Sequence, residues 1–376
     1  MSSPGRWDIF CQVIDNFGDI GVCWRLARQL AAEHGIIVRL WVDDLDTLRH
    51  LCPDVDLHAG AQHCAGVDIR HWATPFPDPV PAEVVIEAFG CELPLSYQDA
   101  MAQSVKPPVW INLEYLTAES WVEGCHALPS PHPHLPLTKH FFFPGFTPKT
   151  GGLLREQGLL TARDASQRTP AQLWRALKLP CPAQDEITVS LFCYDTAPVP
   201  RLLAAWQNSY TPVRCLLPES GILDRVATHF GLPALLPGTT VQRGNLTLQV
   251  LPFLRQEEYD LLLWACDCNF VRGEDSFIRA QWAGKPMVWQ IYAQAENAHL
   301  AKLDAFLERY CSGLDQSAAD AVRAFHHGWN GHAPLHWNDF LQHHAALLLH
   351  ARTWAEQLAR QPDLASNLVI FCKNRL

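Results

Sequence analysis

An acidic segment near the start of the chain, DNFGDIG at positions 15–21, has residue types and spacing that suit chemistry. Asp15 and Asp19 are four residues apart, and Gly18 permits a close backbone approach. Two such carboxylates can hold and activate a cationic or weakly nucleophilic acceptor. Aspartate is also favoured at helix N-termini, so the spacing alone leaves open that Asp19 only caps a helix. The dinucleotide fingerprint GxGxxG is absent.

A second polar segment, VRGEDSF at positions 271–277, follows an apolar run and precedes a helical pattern. The N–H groups at the start of a helix bind diphosphates, and Arg272 can neutralise phosphate charge. Gly273 allows a tight turn, Ser276 adds a hydroxyl donor, and Glu274 suits ribose hydroxyls. An ordinary capped helix start is the alternative, although this segment carries more polar groups than a cap requires.

Aromatic residues follow two further apolar runs in the second half of the chain. Phe192 and Tyr194 end the first of these runs, and Phe253 and Gln256 follow a later one. An aromatic face at a strand end can stack a nucleobase, and a tyrosine hydroxyl can donate to phosphate. Each Phe taken alone also suits ordinary core filling.

The histidine and cysteine groups do not predict a metal site. Pro133 separates His132 from His134, and no set of four converging ligands can be identified around Cys266 and Cys268. The 13 cysteines form no CxxC pair, which predicts reduced core thiols rather than a disulfide framework. We therefore expect a protein without a metal or other cofactor.

The elements that must position these residues are apolar runs alternating with helical patterns, which predicts buried parallel sheets. Runs at 7–13, 36–42, 84–89 and 109–113 form one series, and runs at 187–192, 213–217, 246–251, 269–272 and 287–291 form another. The fold class predicted is α/β, with two Rossmann-like doubly wound domains. We expect a first domain at 1–178 and a second at 179–376, with the final helix or tail packing back on the first.

Composition excludes several classes of protein. Hydrophobic residues make up 48% of the chain and charged residues 18%, which indicates a globular protein without large disordered regions. The net charge of −10 argues against nucleic acid as a direct partner, because phosphate binding depends on Lys and Arg. No secretion signal or membrane-spanning run is evident, so we expect a cytoplasmic protein with no membrane partner.

Two long motifs resemble a known family. FCQVIDNFGDIGVCWRLARQLA, together with LPFLRQEEYDLLLWACDCNFVRGEDSFIRAQWAGKPMVWQ, closely resembles the bacterial protein-arginine rhamnosyltransferases that modify translation elongation factor P, the EarP family. The resemblance implies a GT-B architecture, in which two Rossmann-like domains face across a cleft. It implies inverting transfer of L-rhamnose from dTDP-β-L-rhamnose to an arginine of elongation factor P, without a metal.

The resemblance also implies roles for individual residues. Asp19 is expected to act as the base, Asp15 to orient the arginine, and Glu274 to serve in catalysis near the sugar. The remaining residues expected to bind dTDP-rhamnose are Asn16, Phe17, Gly18, Phe192, Tyr194, Phe253, Gln256, Arg272, Asp275 and Ser276.

Two other classes of function remain open at this stage. Another GT-B nucleotide-sugar transferase or a nucleotide-sugar epimerase could have the same two-domain arrangement and diphosphate site. A non-catalytic binding protein would need neither carboxylate of the acidic segment.

Overall fold

A computed structural model of the chain describes residues 5–15, 17–77, 80–294, 298–331 and 333–376. The chain divides into two compact units: unit 1 comprises Met1–Gln157 and Ala359–Leu376, and unit 2 comprises Gly158–Leu358. Each unit contains one twisted sheet with helices on it.

The described residues contain strands and helices that we number in chain order. The strands are β1 (Arg6–Cys11), β2 (Ile37–Val42), β3 (Ala61–Cys64), β4 (Val67–His71), β5 (Val84–Ala88), β6 (Val109–Leu113), β7 (Pro129–Pro131), β8 (Thr138–Phe142), β9 (Ile187–Leu191), β10 (Val213–Pro218), β11 (Thr240–Arg243), β12 (Leu246–Leu251), β13 (Cys268–Arg272) and β14 (Met287–Gln290). The helices are α1 (Phe17–His34), α2 (Leu45–Leu51), α3 (Leu95–Gln103), α4 (Val122–Cys125), α5 (Leu159–Arg168), α6 (Pro170–Ala176), α7 (Val199–Gln207), α8 (Leu223–Phe230), α9 (Gln256–Ala265), α10 (Asp275–Ala283), α11 (Ala298–Cys311), α12 (Gln316–Asn330), α13 (Trp337–Leu341), α14 (His344–Ala359) and α15 (Leu364–Lys373).

The sheet of unit 1 has the order β3-β4-β2-β1-β5-β6-β8-β7. Its six inner strands pair in parallel, and β3 and β7 pair antiparallel at the two edges. Apart from these edges, the strand order is that of a Rossmann sheet. Successive strands are added on one side of β1 and then, from β5 onward, on its other side. The apolar runs predicted β1, β2, β5 and β6 correctly. They missed β4, whose half-polar sequence VDIRH lacks a continuous apolar run.

A buried ionic network ties the strands of unit 1 together. The Asp8 carboxylate on β1 accepts two hydrogen bonds of 2.5 Å from the Arg39 guanidinium on β2 and one from the Tyr97 hydroxyl on α3. A buried charge is tolerated only when it is paired and hydrogen-bonded, as it is here. One pair of cysteines departs from the prediction of reduced thiols, because Cys52 and Cys64 form a disulfide.

The sheet of unit 2 has the order β11-β12-β10-β9-β13-β14. All its pairings are parallel except that of β11, which is antiparallel to β12 at the edge. This order reverses between β9 and β13. The predicted runs agree with β9, β10, β12, β13 and β14 to within one residue at each end.

The division of the chain differs from the predicted boundary at 178/179. Helices α5 and α6 lie in unit 2. On α5, Arg163 donates to the Trp282 carbonyl at 2.8 Å and Gln167 donates to the Ala283 carbonyl at 3.0 Å, while Trp174 on α6 packs with Leu216 and Leu251 of the sheet. The Pro-containing break at 177–184 is therefore the loop between α6 and β9, inside unit 2.

The end of the chain returns to unit 1 through α15. The Gln29 amide on α1 donates to the Asp363 carboxylate at 3.1 Å, and the Leu364 N–H donates to the Leu153 carbonyl at 3.0 Å. Within the described part of the chain, we find no helix with the length and apolar character needed to cross a membrane.

Candidate functional site

Each candidate segment lies at the point where the strand order of its sheet reverses. The acidic segment follows β1, whose neighbours are β2 and β5, and the segment 271–277 follows β13, which pairs with β9. In open α/β sheets the loops diverge at such a reversal and leave room for a ligand at the carboxyl ends of the strands. The two segments predicted from the sequence therefore lie at the positions that this topology favours for ligand binding.

Asp19 is buried in the first turn of α1 and holds the preceding loop. Its Oδ2 accepts hydrogen bonds from the N–H groups of Ile14 at 2.9 Å and Asp15 at 2.8 Å. Its Oδ1 accepts from the Tyr115 hydroxyl at 3.3 Å. The two backbone bonds occupy both lone pairs of Oδ2, so Oδ1 is the oxygen with a remaining acceptor position.

The neighbours of Asp19 in the acidic segment have distinct surroundings. Asp15 is half-buried and packs against Gly18, where a Cβ atom would lie 2.5 Å from the Asp15 Oδ2. Gly18 therefore leaves room for this carboxylate. The Phe17 ring lies edge-on to the His50 ring of α2, with centroids 5.7 Å apart. Asn16, also predicted to bind the donor, lies outside the described residues.

Tyr115 and Phe89 are part of this region, although neither was predicted from the sequence as a site residue. Tyr115 follows β6 and Phe89 follows β5, and their rings stack with centroids 4.6 Å apart and an interplanar angle of 22°. Phe89 has a positive φ of 58°, which is uncommon for a residue other than glycine. The signal that could have identified them is the one used elsewhere, an aromatic residue directly after a buried strand.

In unit 2 the Arg272 guanidinium lies against two aromatic rings. Its Cζ is 4.5 Å from the centroid of the Phe192 ring and 4.6 Å from that of the Tyr194 ring. A guanidinium on an aromatic face is stabilised by the quadrupole of the ring and keeps its donors available. The structure thus brings together three predicted donor-binding residues from two adjacent strands.

The start of α10 supplies the remaining polar groups of this cluster. Gly273 has a positive φ of 59° and makes the turn between β13 and the helix. Glu274 occupies the N-cap position and is buried, but its side chain makes no capping hydrogen bond. The Ser276 hydroxyl accepts from the Arg272 N–H at 3.0 Å and donates to the Arg272 carbonyl at 2.5 Å. Ser276 therefore shapes the turn between β13 and α10.

Residues after β12 reach the same helix start. The Gln256 side chain, at the first position of α9, donates to the Asp275 carboxylate at 3.2 Å. Phe253 lies three residues earlier in the loop and is half-buried. Tyr259, one turn beyond Gln256, has its ring 5.6 Å from that of Phe192, and burial raises the pKa of its hydroxyl.

Three residues at or just after the end of β14 also belong to this cluster, although none was predicted from the sequence as a site residue. The Gln290 side chain accepts a hydrogen bond from the Tyr194 N–H, and the Trp289 indole donates to the Gly273 carbonyl at 2.8 Å. The Tyr292 ring lies edge-on to that of Tyr194, with centroids 5.6 Å apart.

No group of three or more His, Cys, Asp and Glu side chains that could hold a metal ion occurs among the residues that the structure describes. The buried cysteines are poor metal ligands as they stand. Desolvation, for example, raises the pKa of Cys193 to about 12 and that of Cys266 well above its ordinary value, and it is the thiolate that binds metal.

Comparisons with known proteins agree with this architecture. The family model described as Elongation-Factor P (EF-P) rhamnosyltransferase EarP matches residues 7–373. A protein-arginine rhamnosyltransferase of Pseudomonas putida is 50% identical over 378 residues, which cover 98% of this chain and 99% of the relative.

Solved structures give the same result. A structure described as the structural basis for EarP-mediated arginine glycosylation of translation elongation factor EF-P is 36% identical, with a TM-score of 0.69 and coverage of 99% and 100% of the two chains. The spinosyn rhamnosyltransferase SpnG is only 11% identical, with a TM-score of 0.52 over 97% of this chain and 99% of its own, and shares the fold. The predicted fold class is thus confirmed as GT-B. The chain is a glycosyltransferase that belongs to the EarP family of elongation-factor P rhamnosyltransferases.

Proposed function

We propose that this enzyme transfers L-rhamnose from dTDP-β-L-rhamnose to an arginine side chain of elongation factor P, with inversion, in the cytoplasm where translation takes place. The observation that supports a nucleotide-sugar donor is the position of the Arg272 guanidinium, which lies against Phe192 and Tyr194 beside the start of α10. A cation beside a helix N-terminus is an arrangement that favours a diphosphate.

In the proposed donor site, different residues of unit 2 contact different parts of the nucleotide sugar. Arg272, Tyr194 and the α10 residues Asp275 and Ser276 would surround the diphosphate. Glu274, at the N-cap position of α10, would reach the sugar. Phe192, Phe253 and Gln256 would contact the thymine end. The fixed charge of Arg272 would stabilise the departing diphosphate, so the proposed chemistry requires no metal ion.

Activation of the acceptor arginine depends on Asp19 in this proposal. Arginine has a pKa above 12 and a delocalised guanidinium, so it is a poor nucleophile until a carboxylate orients it and withdraws a proton. The hydrogen bonds to Asp19 indicate which atom would do so: Oδ2 holds the loop through two N–H groups, and Oδ1 has an acceptor position left. Asp15 would share the charge of the guanidinium and orient it.

The step proposed conserves atoms and charge. A guanidinium nitrogen of the acceptor attacks the anomeric carbon of rhamnose on the face opposite the diphosphate. The bond from that carbon to the diphosphate oxygen breaks, dTDP leaves with the electron pair, and the nitrogen proton passes to Asp19. The β-linked donor therefore gives an α-linked rhamnosyl arginine.

The experiment is the intact mass of elongation factor P after incubation with this enzyme and dTDP-rhamnose, with and without a metal chelator. We expect a gain of one deoxyhexose in both samples, and none when the acceptor arginine is replaced by lysine. A different mass gain would contradict the donor assignment. Conversion of the nucleotide sugar without elongation factor P would favour an epimerase, and a chelator-sensitive gain would contradict the metal-independent step.

A further inference from the structure

Gln290 is a buried residue of unit 2 whose amide side chain holds the loop after β9. It ends β14, where it pairs with Arg272 in the register of the sheet. Its Oε1 accepts a 2.7 Å hydrogen bond from the Tyr194 N–H, and its Nε2 lies 3.3 Å from the Thr196 hydroxyl oxygen. One side chain thus binds the two residues on either side of Asp195.

The backbone beside this side chain holds the turn after β13. The Gly273 N–H donates to the Gln290 carbonyl at 3.2 Å, and the Trp289 indole donates to the Gly273 carbonyl at 2.8 Å. Trp289 is itself fixed, because its ring stacks on Phe277 with centroids 3.9 Å apart. The last two residues of β14 therefore contact both segments that carry Tyr194 and Arg272.

From this geometry we propose that Gln290 is a positioning residue for the donor site, one that sets the place of the Tyr194 ring beside Arg272. The inference rests on the proposed function, in which these two residues bind the diphosphate. The Tyr194 N–H is buried and needs an acceptor, and the Gln290 Oε1 supplies it. Without that acceptor the loop must move to satisfy the N–H, and the ring moves with it.

The backbone at position 290 does not depend on this side chain. Asn330 on α12 brackets it from the other side: the Asn330 Nδ2 donates to the Trp289 carbonyl at 2.8 Å, and the Asn330 Oδ1 accepts from the Ile291 N–H at 3.0 Å. Replacing Gln290 by methionine keeps the length and apolar volume of the side chain while removing the amide. The end of β14 should therefore stay in place, and only the hold on Tyr194 and Thr196 is lost.

The chain offers a matched control in Gln281, another buried glutamine of unit 2. Its Oε1 accepts from the Trp354 indole at 2.6 Å, and its Nε2 donates to the Phe277 carbonyl at 3.3 Å. Gln281→Met removes a comparable buried amide on α10 without touching Tyr194 or Thr196. It therefore measures the general cost of losing such a side chain.

The experiment measures dTDP affinity by calorimetry, and kcat and KM for both substrates, in the wild-type enzyme and the two methionine variants. We expect Gln290→Met to weaken dTDP binding and raise the donor KM about tenfold or more, since a buried N–H loses its acceptor. Acceptor KM and kcat at saturating donor should change less than about threefold, the change expected of a group that acts through binding. Gln281→Met should keep wild-type values.

The outcomes separate this inference from the proposed function. If the wild-type enzyme does not bind dTDP, the proposed function fails and the inference fails with it. If the wild-type enzyme binds dTDP and Gln290→Met binds it as tightly as Gln281→Met does, only the inference is overturned. Should Gln290→Met not fold, Thr196→Val removes the second contact alone: about threefold weaker dTDP binding supports the inference, and wild-type affinity overturns it.

Discussion

In the proposed mechanism, Asp19 combines a structural and a chemical role in one side chain. Its Oδ2 holds the N–H groups of Ile14 and Asp15, while Oδ1 faces the Tyr115 hydroxyl. Glutamate and glutamine often serve the first role at the third position of a helix, by reaching back to the N–H groups that precede it. From the sequence alone, capping and catalysis are alternative roles for Asp19, whereas the two oxygens of one carboxylate can serve both.

Replacing Asp19 by asparagine separates these roles. The side-chain oxygen of the variant can still accept the two backbone bonds, and its amide can donate to Tyr115, so the loop should keep its shape. A general base contributes typically 10²–10⁴-fold, and we expect kcat of Asp19→Asn to fall by about that factor with dTDP affinity unchanged. Kinetics and calorimetry on the same folded sample test this. Near-wild-type turnover would leave Asp19 with the structural role alone.

Arg272 is the residue on which donor affinity should depend most. Removing a charge-assisted hydrogen bond costs about 1.5–3 kcal/mol, so Arg272→Ala should weaken dTDP binding by one to two orders of magnitude. Arg272→Lys should recover only part of this loss, because an ammonium cannot lie flat against Phe192 and Tyr194 as the guanidinium does.

The control for Arg272 is Arg323→Ala, which removes a half-exposed cation from α12 in the same unit. Calorimetry should give wild-type dTDP affinity for this variant. Equal weakening in the Arg272 and Arg323 variants would indicate a general effect of charge and remove Arg272 from the site.

At the level of elements, α12 carries a group that makes the stability of unit 2 depend on pH. His326 is fully buried, its Nδ1 lies 2.9 Å from the Val322 carbonyl oxygen, and desolvation lowers its pKa from 6.5 to about 4. The unfolded chain binds a proton at His326 below about pH 6.5, and the folded chain does so only near pH 4. Stability is therefore lost as the pH falls through this window.

We expect about 2 kcal/mol of the free energy of unfolding to be lost between pH 7 and pH 5 through His326. Urea unfolding at several pH values measures this loss. In His326→Gln the free energy of unfolding should fall less over the same interval, because glutamine does not titrate. Identical pH dependence in the two proteins would show that His326 does not contribute.

At the scale of the whole molecule, the chain leaves unit 1 at residue 157 and returns to it at 359. Helix α15 then completes unit 1 through buried apolar residues and through hydrogen bonds from Gln29 to Asp363 and from Leu364 to Leu153. Unit 1 is therefore built from two separate stretches of sequence.

Deleting residues 359–376 should destabilise unit 1 although the deletion is distant in sequence from its sheet. It exposes the apolar face that Leu364, Leu368 and Val369 cover, at about 1.5–3 kcal/mol for each fully buried side chain. We expect a lower Tm by calorimetry, together with the loss of transferase activity. Removing only residues 374–376, beyond α15, should leave the Tm near its wild-type value.

The sequence by itself determined the α/β class, nine of the strands and the positions of both candidate segments. Short, mostly apolar runs such as VWINL favour buried strands, and polar residues that follow such strands in a parallel sheet lie at its carboxyl edge. The long motifs around Asp19 and Arg272 also identified the family. Apolar runs, the polar residues that follow them and long motifs each involve residues close together in the chain, so the sequence is enough to recognise them.

Tertiary structure alone decided what depends on residues far apart in sequence. The contacts of Tyr115 with Asp19 and of Gln290 with Tyr194 join positions 96 residues apart in each case, and no spacing pattern marks them. The pairing of β4 with β2 was likewise decided by the order of the sheet. The place of α5 in unit 2 has the same kind of cause, because Trp282 and Ala283 offer the carbonyls that Arg163 and Gln167 bind.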